Sequence, residues 1–229
     1  MISKVVASIE AAVADIHDGA TVMIGGFGAA GMPSELIDAL IGQGARNLTI
    51  VNNNAGNGDT GLAALLKTRR VRKIICSFPR QVDSWVFDRL YLAGEIELEL
   101  VPQGNLACRI EAAGAGLGAI FTPTGYGTLL AEGKETREIN GRHHVLEYPI
   151  HADFALIKAE QGDRWGNLVY RKTARNFGPI MARAAKCTIA QVREVVPLGA
   201  LDPEVIVTPG IFVRRVVPVS AAGAAKVAA

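Results

Sequence analysis

The sequence predicts an α/β fold with a largely parallel sheet flanked by helices. Three observations carry that expectation. Strand-like and helix-like stretches alternate through residue 192, as strands joined by helical crossovers do. Several strand candidates, such as 21–24, 48–51 and 154–158, are mostly apolar, as strands covered on both faces are. Four glycines fall within residues 25–31, between the first of these strands and a helical pattern.

The elements follow in order. Val5, Val6, Ile9, Val13 and Ile16 have helical spacing and predict an amphipathic first helix ending near His17. Asp18-Gly19 is turn chemistry before the first strand. After the glycines, Leu36, Ile37, Leu40 and Ile41 predict a helix. Pro33 suits its first turn, where the missing N–H costs nothing, and Gly42 and Gly44 stop it. The strand over 48–51 ends in Asn52-Asn53-Asn54-Ala55-Gly56-Asn57-Gly58. A polar run at the carboxyl end of a strand stands where α/β proteins hold ligands. It also suits an ordinary connecting loop, and both readings stay open.

A short helix over 62–66, a strand over 71–77 and a helix over 85–92 come next. Residues 95–101 alternate glutamate with apolar residues, so the glutamates share one solvated strand face rather than forming a catalytic pair. A helix over 106–113 precedes a second glycine-rich region, and residues 137–147 read as a hairpin around Asn140-Gly141. His143 and His144 point to opposite faces of a strand and cannot chelate one metal. A strand over 154–158, a return over 168–170, a helix over 174–185 and strands over 187–192 and 211–217 complete the chain. No linker interrupts it, so residues 1–219 read as one domain, with the Ala-rich stretch 220–229 expected to fray.

Composition narrows the function. Of 229 residues, 49% are apolar, enough for a sizeable core. With 24 basic and 22 acidic side chains the net charge is +2, so no basic field points to nucleic acid. Cys76, Cys108 and Cys187 are dispersed and form no CxxC pair, which argues against a zinc site or a disulfide framework. No signal peptide stands at the start and no apolar run approaches the ~18 residues of a membrane span. A cytoplasmic protein without a bound metal is the expectation.

Gly26-x-Gly28-x-x-Gly31 matches the dinucleotide fingerprint in a strand-to-helix context. That fingerprint also needs an acidic residue about 20 positions on, at the end of the second strand, for a ribose hydroxyl. This chain has asparagines there and no acid before Asp59. A nicotinamide dehydrogenase is therefore disfavoured. No GxSxG elbow and no P-loop lysine motif occur either. The chain has a loop able to cradle a ligand but no self-contained catalytic constellation.

The stretch from Asp18-Gly19 to Pro33 resembles the signature of the A (alpha) subunit of family I CoA-transferases: Asp-Gly, two residues, three apolar residues, Gly-Gly-Phe, three residues, then Gly-x-Pro. The resemblance extends to Asn53-Asn54-Ala55-Gly56, Pro102-Gln103-Gly104-Asn105-Leu106, residues 122–128 and Arg171-Lys172-Thr173-Ala174-Arg175-Asn176-Phe177. It spans the chain to about residue 217. Within the family, Phe78-Pro79-Arg80-Gln81 and Gly178-Pro179-Ile180-Met181 look most like the branch acting on 3-oxoadipate, with the acetoacetate (3-oxoacid) branch as the alternative.

The resemblance implies a NagB/RpiA-like fold and covalent, ping-pong transfer of CoA through a glutamyl-CoA thioester. In this family the nucleophilic glutamate belongs to the B subunit, in a Ser-Glu-Asn-Gly context. Ser34-Glu35 is the nearest approach to that motif here, and a glutamate in a first helical turn is more simply a dipole partner. The chain is thus expected to need a B subunit, with CoA as a substrate rather than a permanent cofactor. By resemblance Gln103 is an oxyanion donor, against the simpler reading of a glutamine in a turn. Gly25, Gly26, Phe27, Gly28, Ala29, Ala30 and Gly31 form the CoA-associated loop, against the simpler reading of close helix–strand packing. Arg80, Arg171 and Arg175 are candidates to pair with the second carboxylate of an oxoadipate acceptor. After Pro-Gln-Gly-x-Leu the family usually continues Ala-Glu-Arg-Ile-Arg, whereas here it reads Ala107-Cys108-Arg109-Ile110-Glu111. A CoA-binding scaffold without turnover is the reading from another class.

Overall fold

A computed structural model describes residues 2–219; the stretch 220–229 expected to fray lies outside the described residues. The strands are β1 Thr21–Ile24, β2 Leu48–Val51, β3 Val71–Cys76, β4 Glu97–Leu100, β5 Ile120–Thr122, β6 Thr136–Ile139, β7 Arg142–Glu147, β8 Ala152–Asp163, β9 Leu168–Val169, β10 Ala185–Val196 and β11 Arg215–Pro218. The main sheet has the order β11-β10-β8-β1-β2-β3-β4. All these neighbours pair in parallel. The short β9 turns back antiparallel on β8. The expected parallel α/β architecture is therefore present.

The period of two along the strands divides the core. Val22, Ile24, Leu48, Ile50 and Ile74 face α1 Ile9–Val13, α2 Ser34–Gln43, α3 Leu62–Lys67 and α4 Trp85–Leu92. Met23, Val51 and Ile75 face the other way, towards α5 Gln103–Ala115 and α6 Gly178–Ala184. Helices α2, α3 and α4 each return the chain to the start of the next parallel strand, as such crossovers must.

A second sheet, in the order β5-β7-β6, is antiparallel and sits against α5. Asn140 and Gly141 join β6 to β7 with φ of 51° and 72°, the left-handed pair that a tight hairpin requires. Glu147 anchors this sheet: Lys134 Nζ lies 2.7 Å from one of its oxygens and Arg109 Nε of α5 lies 3.7 Å from the other.

The structure corrects the boundaries of several elements; the last strand, expected over 211–217, is Arg215–Pro218 and follows a 3₁₀ turn over Gly210–Phe212. The first helix is only Ile9–Val13, because Val5 pairs with Val216 beside β11 and Ser8 caps the helix by accepting from the Ala11 N–H at 3.1 Å. The helix expected over 174–185 is split. A 3₁₀ turn, Lys172–Arg175, is interrupted at Asn176 before α6 begins. Strands β8 and β10 run well beyond the apolar cores that announced them. Their outer halves are polar and pair across the strands, Arg193 with Glu160 at 3.0 Å and Gln161 with Glu194 at 3.0 Å, so hydrophobicity does not mark them.

The segment after the first helix meets the last strand at Arg215, whose Nη1 and Nη2 donate to both carboxylate oxygens of Asp15 at 2.6 Å. The hydrogen bonds from Arg215 hold the Asp15 carboxyl below its ordinary range. A depressed carboxyl contributes stability above its unfolded pKa, and that contribution is lost as pH falls through the folded value. Asp15→Asn is expected to cost about 0.5–1 kcal/mol at pH 7. In urea titrations that difference should close at strongly acidic pH; a difference independent of pH would contradict the assignment.

Candidate active site

The carboxyl ends of β1, β2, β3 and β4 stand side by side, about 5 Å apart, and each releases a loop containing a residue singled out in the sequence. β1 also marks the point where the strand order reverses, with β2 on one side and β8 on the other. Such a switch point opens a crevice for ligands.

The loop after β1 is a compact turn. Gly25 donates to the Leu156 carbonyl at 2.9 Å, while Phe27 and Ala30 exchange backbone hydrogen bonds at 2.9 and 3.2 Å. Among the described residues, the N–H groups of Gly26, Gly28, Ala29 and Gly31 make no hydrogen bond. Gly28 has φ +59° and nothing within 4 Å of where a Cβ would stand, so its backbone is open. Gly31 is the opposite case. At φ +76°, a Cβ would stand 2.7 Å from the Ala174 carbonyl oxygen. Close packing and an open ligand face therefore coexist in the one loop.

The loop after β2 is the most buried polar segment of the site. Asn52, Asn53 and Asn54 are 0%, 3% and 2% exposed. Asn52 Nδ2 donates to the Ile24 carbonyl at 2.6 Å, which ties β2's end to β1's, and its Oδ1 accepts from the Asn54 N–H at 2.9 Å. Asn54 Oδ1 accepts from the Gly56 N–H at 2.9 Å, while its Nδ2 is buried without a partner among the described residues. The Asn53 carbonyl accepts from the Ser77 and Phe78 N–H groups at 3.1 and 3.0 Å. Its side-chain Oδ1 accepts from Ser77 Oγ at 2.8 Å and from Gln103 Nε2 at 2.9 Å.

Gln103 is the first residue of α5 and is exposed. A primary amide has two N–H donors. Asn53 takes one and orients the group, which leaves the other to point elsewhere.

A cleft of about 500 Å³ opens between the glycine loop and the 54–61 loop, lined by Gly28, Ala29, Asn54 and Thr60, with Asp38 and Asp59 in its wall. Burial, reinforced by nearby Glu35, raises the Asp38 carboxyl. Beneath the β3 end, burial pushes the Cys76 thiol up to about 12, far from a thiolate at neutral pH. Glu35 is engaged by buried Gln191, whose Nε2 donates to its carboxylate and whose Oε1 accepts from the Leu36 N–H at 3.2 Å. It serves the N-terminus of α2. Among the described residues no group of His, Cys, Asp or Glu side chains is arranged to hold a metal, and no helix is long and apolar enough to cross a membrane.

The three arginines part company. Arg80 follows the β3 end and lies on Asp88 of α4, with Nε 2.9 Å and one Nη 3.3 Å from its oxygens. Arg171 and Arg175 are exposed on the turn that packs behind the glycine loop, where Asn176 Nδ2 donates to the Ala30 carbonyl at 2.9 Å. Sequence reasoning noticed the asparagine run without assigning roles within it. It missed Ser77 and Gln191, a lone serine and a strand glutamine whose signal is their burial.

The pattern of the Coenzyme A transferase family matches residues 6–218. The chain belongs to that family. It is 72% identical over 228 residues to the A subunit of 3-oxoadipate CoA-transferase of Pseudomonas putida, covering 100% of this chain and 99% of that one. It is 51% identical over 216 residues to the A subunit of succinyl-CoA:3-ketoacid coenzyme A transferase of Xanthomonas campestris pv. campestris (strain B100), covering 94% of this chain and 88% of that one. In fold it is similar to the acyl-CoA transferase YdiF of E. coli O157:H7, with a TM-score of 0.83 at 24% identity over 95% of this chain. The CoA-transferase chain spans about half the length of YdiF, 47%.

The close approach at Gly31 gives a direct test of the loop's anchoring. Gly31→Ala combines an unfavourable φ with an overlap against backbone, and is expected to cost about 2–4 kcal/mol. Urea unfolding measures it; a cost near zero would show that the turn at 171–177 can move away freely.

Proposed function

We propose that this chain is the A subunit of a heteromeric, cytoplasmic CoA-transferase that moves CoA from succinyl-CoA to 3-oxoadipate, a step in the degradation of aromatic compounds. The observation that carries this reading is the 72% identity over the full chain to a relative named for 3-oxoadipate, against 51% to one named for 3-ketoacids. The same chemistry with acetoacetate as acceptor is the second reading, supported by that 51% relative.

In the proposed reaction a glutamate carboxylate supplied by the B subunit forms a bond to the thioester carbonyl of succinyl-CoA. The C–S bond breaks, leaving an acyl-glutamyl anhydride and CoA thiolate. The thiolate attacks the glutamyl carbonyl of the anhydride, forms glutamyl-CoA and releases succinate. The acceptor carboxylate then attacks the glutamyl thioester and expels CoA thiolate, forming a new anhydride; the thiolate attacks the acceptor's acyl carbon, forms its CoA thioester and releases the glutamate carboxylate. Each addition places negative charge on a carbonyl oxygen, where preorganised donors lower the barrier most. Gln103 supplies one such donor, oriented by Asn53, and the glycine loop Gly25 to Gly31 supplies bare N–H groups along the CoA arm. Asn53 acts through Gln103 and is a positioning residue. CoA is turned over as substrate.

Arg80 fits the second carboxylate of the acceptor better than a monocarboxylate would require. Asp88 holds one side of its guanidinium, and the remaining N–H groups of the fork are available for a bidentate partner.

The deciding experiment assembles the chain with its B-subunit partner, then assays succinyl-CoA with 3-oxoadipate and acetoacetate side by side. The assembled protein should transfer CoA to 3-oxoadipate with the higher kcat/KM, and the isolated chain should transfer none. Preference for acetoacetate would favour the second reading, and no transfer to either acceptor would leave a scaffold. Gln103→Ala in the assembled enzyme should lower kcat by about 10²-fold; near-normal turnover would make Gln103 structural. Arg80→Gln should raise KM for 3-oxoadipate about tenfold, the loss of a charge-assisted contact, and leave KM for acetoacetate unchanged. An equal change for both acceptors would remove Arg80 from acceptor recognition.

A further inference from the structure

Helix α5 begins at Gln103 with Pro102 at its cap and no capping side chain. Side chains of its own first turn hold it instead. Gln103 Nε2 reaches Asn53 Oδ1 at 2.9 Å. Asn105 stands two residues on, about 200° around the helix, and turns the other way, into the second sheet. It is 2% exposed. Its Oδ1 accepts from Thr122 Oγ1 at 3.1 Å, and its Nδ2 donates to the Thr124 carbonyl at 3.1 Å and to Glu147 Oε1 at 3.4 Å. Thr122 is the last residue of β5 and Glu147 the last of β7.

An amide suits that position and an acid does not. The Thr124 carbonyl and the Glu147 carboxylate both need a donor, and the Thr122 hydroxyl needs an acceptor; a primary amide offers both on one group. An aspartate at 105 has no proton to donate and would set a second buried carboxylate beside Glu147. One turn on, Arg109 continues the same helix face. Its Nε donates to the Tyr148 carbonyl at 2.7 Å and its Nη1 to Glu99 of β4 at 3.1 Å, while its own carbonyl accepts from the Ile150 N–H at 3.0 Å. The helix is thus strapped down along one side, and Gln103 extends from the other side of its first turn.

The bond to Asn53 cannot place Gln103 by itself. A glutamine side chain turns about several bonds, so one hydrogen bond at its tip directs the amide without fixing the backbone from which it extends. A donor to a transient oxyanion must be held within about 0.5 Å of its productive place. We infer that Asn105 is a positioning residue for CoA transfer: by locking the first turn of α5 to the segment 122–124 it sets where Gln103 presents its remaining N–H. The inference rests on the CoA-transferase reading, with Gln103 as the donor. It also gives the β5-β7-β6 sheet a part in the reaction, as the footing against which the donor helix is set.

A double-mutant cycle read by steady-state kinetics of the assembled enzyme tests this. Asn105→Ala should lower kcat about tenfold or more and leave KM for both substrates near the wild-type value. In the wild-type background Gln103→Ala is expected to cost about 10²-fold in kcat. In the Asn105→Ala background the same change should cost about tenfold or less, because the donor is already displaced. A merely structural role would lower the midpoint of thermal unfolding and the yield of active enzyme, but would leave the Gln103→Ala penalty at its full size. Where Asn105→Ala does not assemble, Thr122→Val removes one of the three hydrogen bonds of Asn105; it should lower kcat about two- to fivefold and reduce the Gln103→Ala penalty in proportion. Wild-type kcat in the variant that assembles, a raised KM at unchanged kcat, or a Gln103→Ala penalty of full size in both backgrounds overturns the inference. Near-normal turnover of Gln103→Ala alone would remove the donor and the inference together. Absence of transfer by wild type would sink the CoA-transferase reading, and the inference with it.

Discussion

The buried asparagine run at the end of β2 is the constraint on which the site depends. Four strand ends must be fixed relative to one another, and among the described residues a single bridge, Asn54 with Phe78, continues strand pairing into the loops after β2 and β3. Asn52 reaches β1 through the Ile24 carbonyl, and Asn53 reaches β3 and α5 through Ser77 and Gln103. Side-chain amides serve this purpose because each carries donors and an acceptor on one short, nearly rigid group. Aspartate would bring acceptors only, and a charge that exposures of 0–3% would penalise. The same choice of amide over acid is what broke the dinucleotide fingerprint in the sequence.

Much of the fold was legible because parallel strands buried on both faces leave a mostly apolar signature. β1 and β2 carry that signature, and the helices after them show a 3.6-residue period. Legibility failed where tertiary context decides. Val5 and Val6 fit a helical face as well as an extended one, and β11 selects the extended form through the Val5–Val216 pairing. The outer halves of β8 and β10 are polar and gain their strand state from each other, a pairing that no local window contains. Asn176 splits a continuous helical pattern because its side chain bonds to the Thr173 and Ala30 carbonyls, offering the backbone an alternative to the helix.

The site was legible in outline and opaque in its wiring. Glycines between a strand and a helix pointed to the carboxyl edge of the sheet, and the structure places Gln103 at that same edge. That Gln103 is oriented by Asn53 was invisible, since 50 residues separate the two. The division of labour within the glycine loop was equally hidden. Gly28 is open and Gly31 is pressed against Ala174, although both have positive φ and both read simply as glycine.

The site is rich in donors and poor in attackers. Gln103 keeps one N–H beyond its bond to Asn53, the glycine loop offers backbone N–H groups, and Asn54 Nδ2 is buried with no partner among the described residues. An unpaired buried donor costs about 1–3 kcal/mol, and an arriving ligand oxygen would return that cost on binding. The nucleophiles that sequence would nominate are engaged or suppressed. Glu35 serves a helix terminus through Gln191, Glu99 lies between Lys73 and Arg109, and burial keeps the Cys76 thiol protonated. A surface that offers donors, and whose nearby glutamates Glu35 and Glu99 are already bonded, fits the proposed chemistry, whose electron pair would come from another chain. In the proposed reaction the geometry of the donors is not left to the encounter, because Asn53 already holds Gln103 in place.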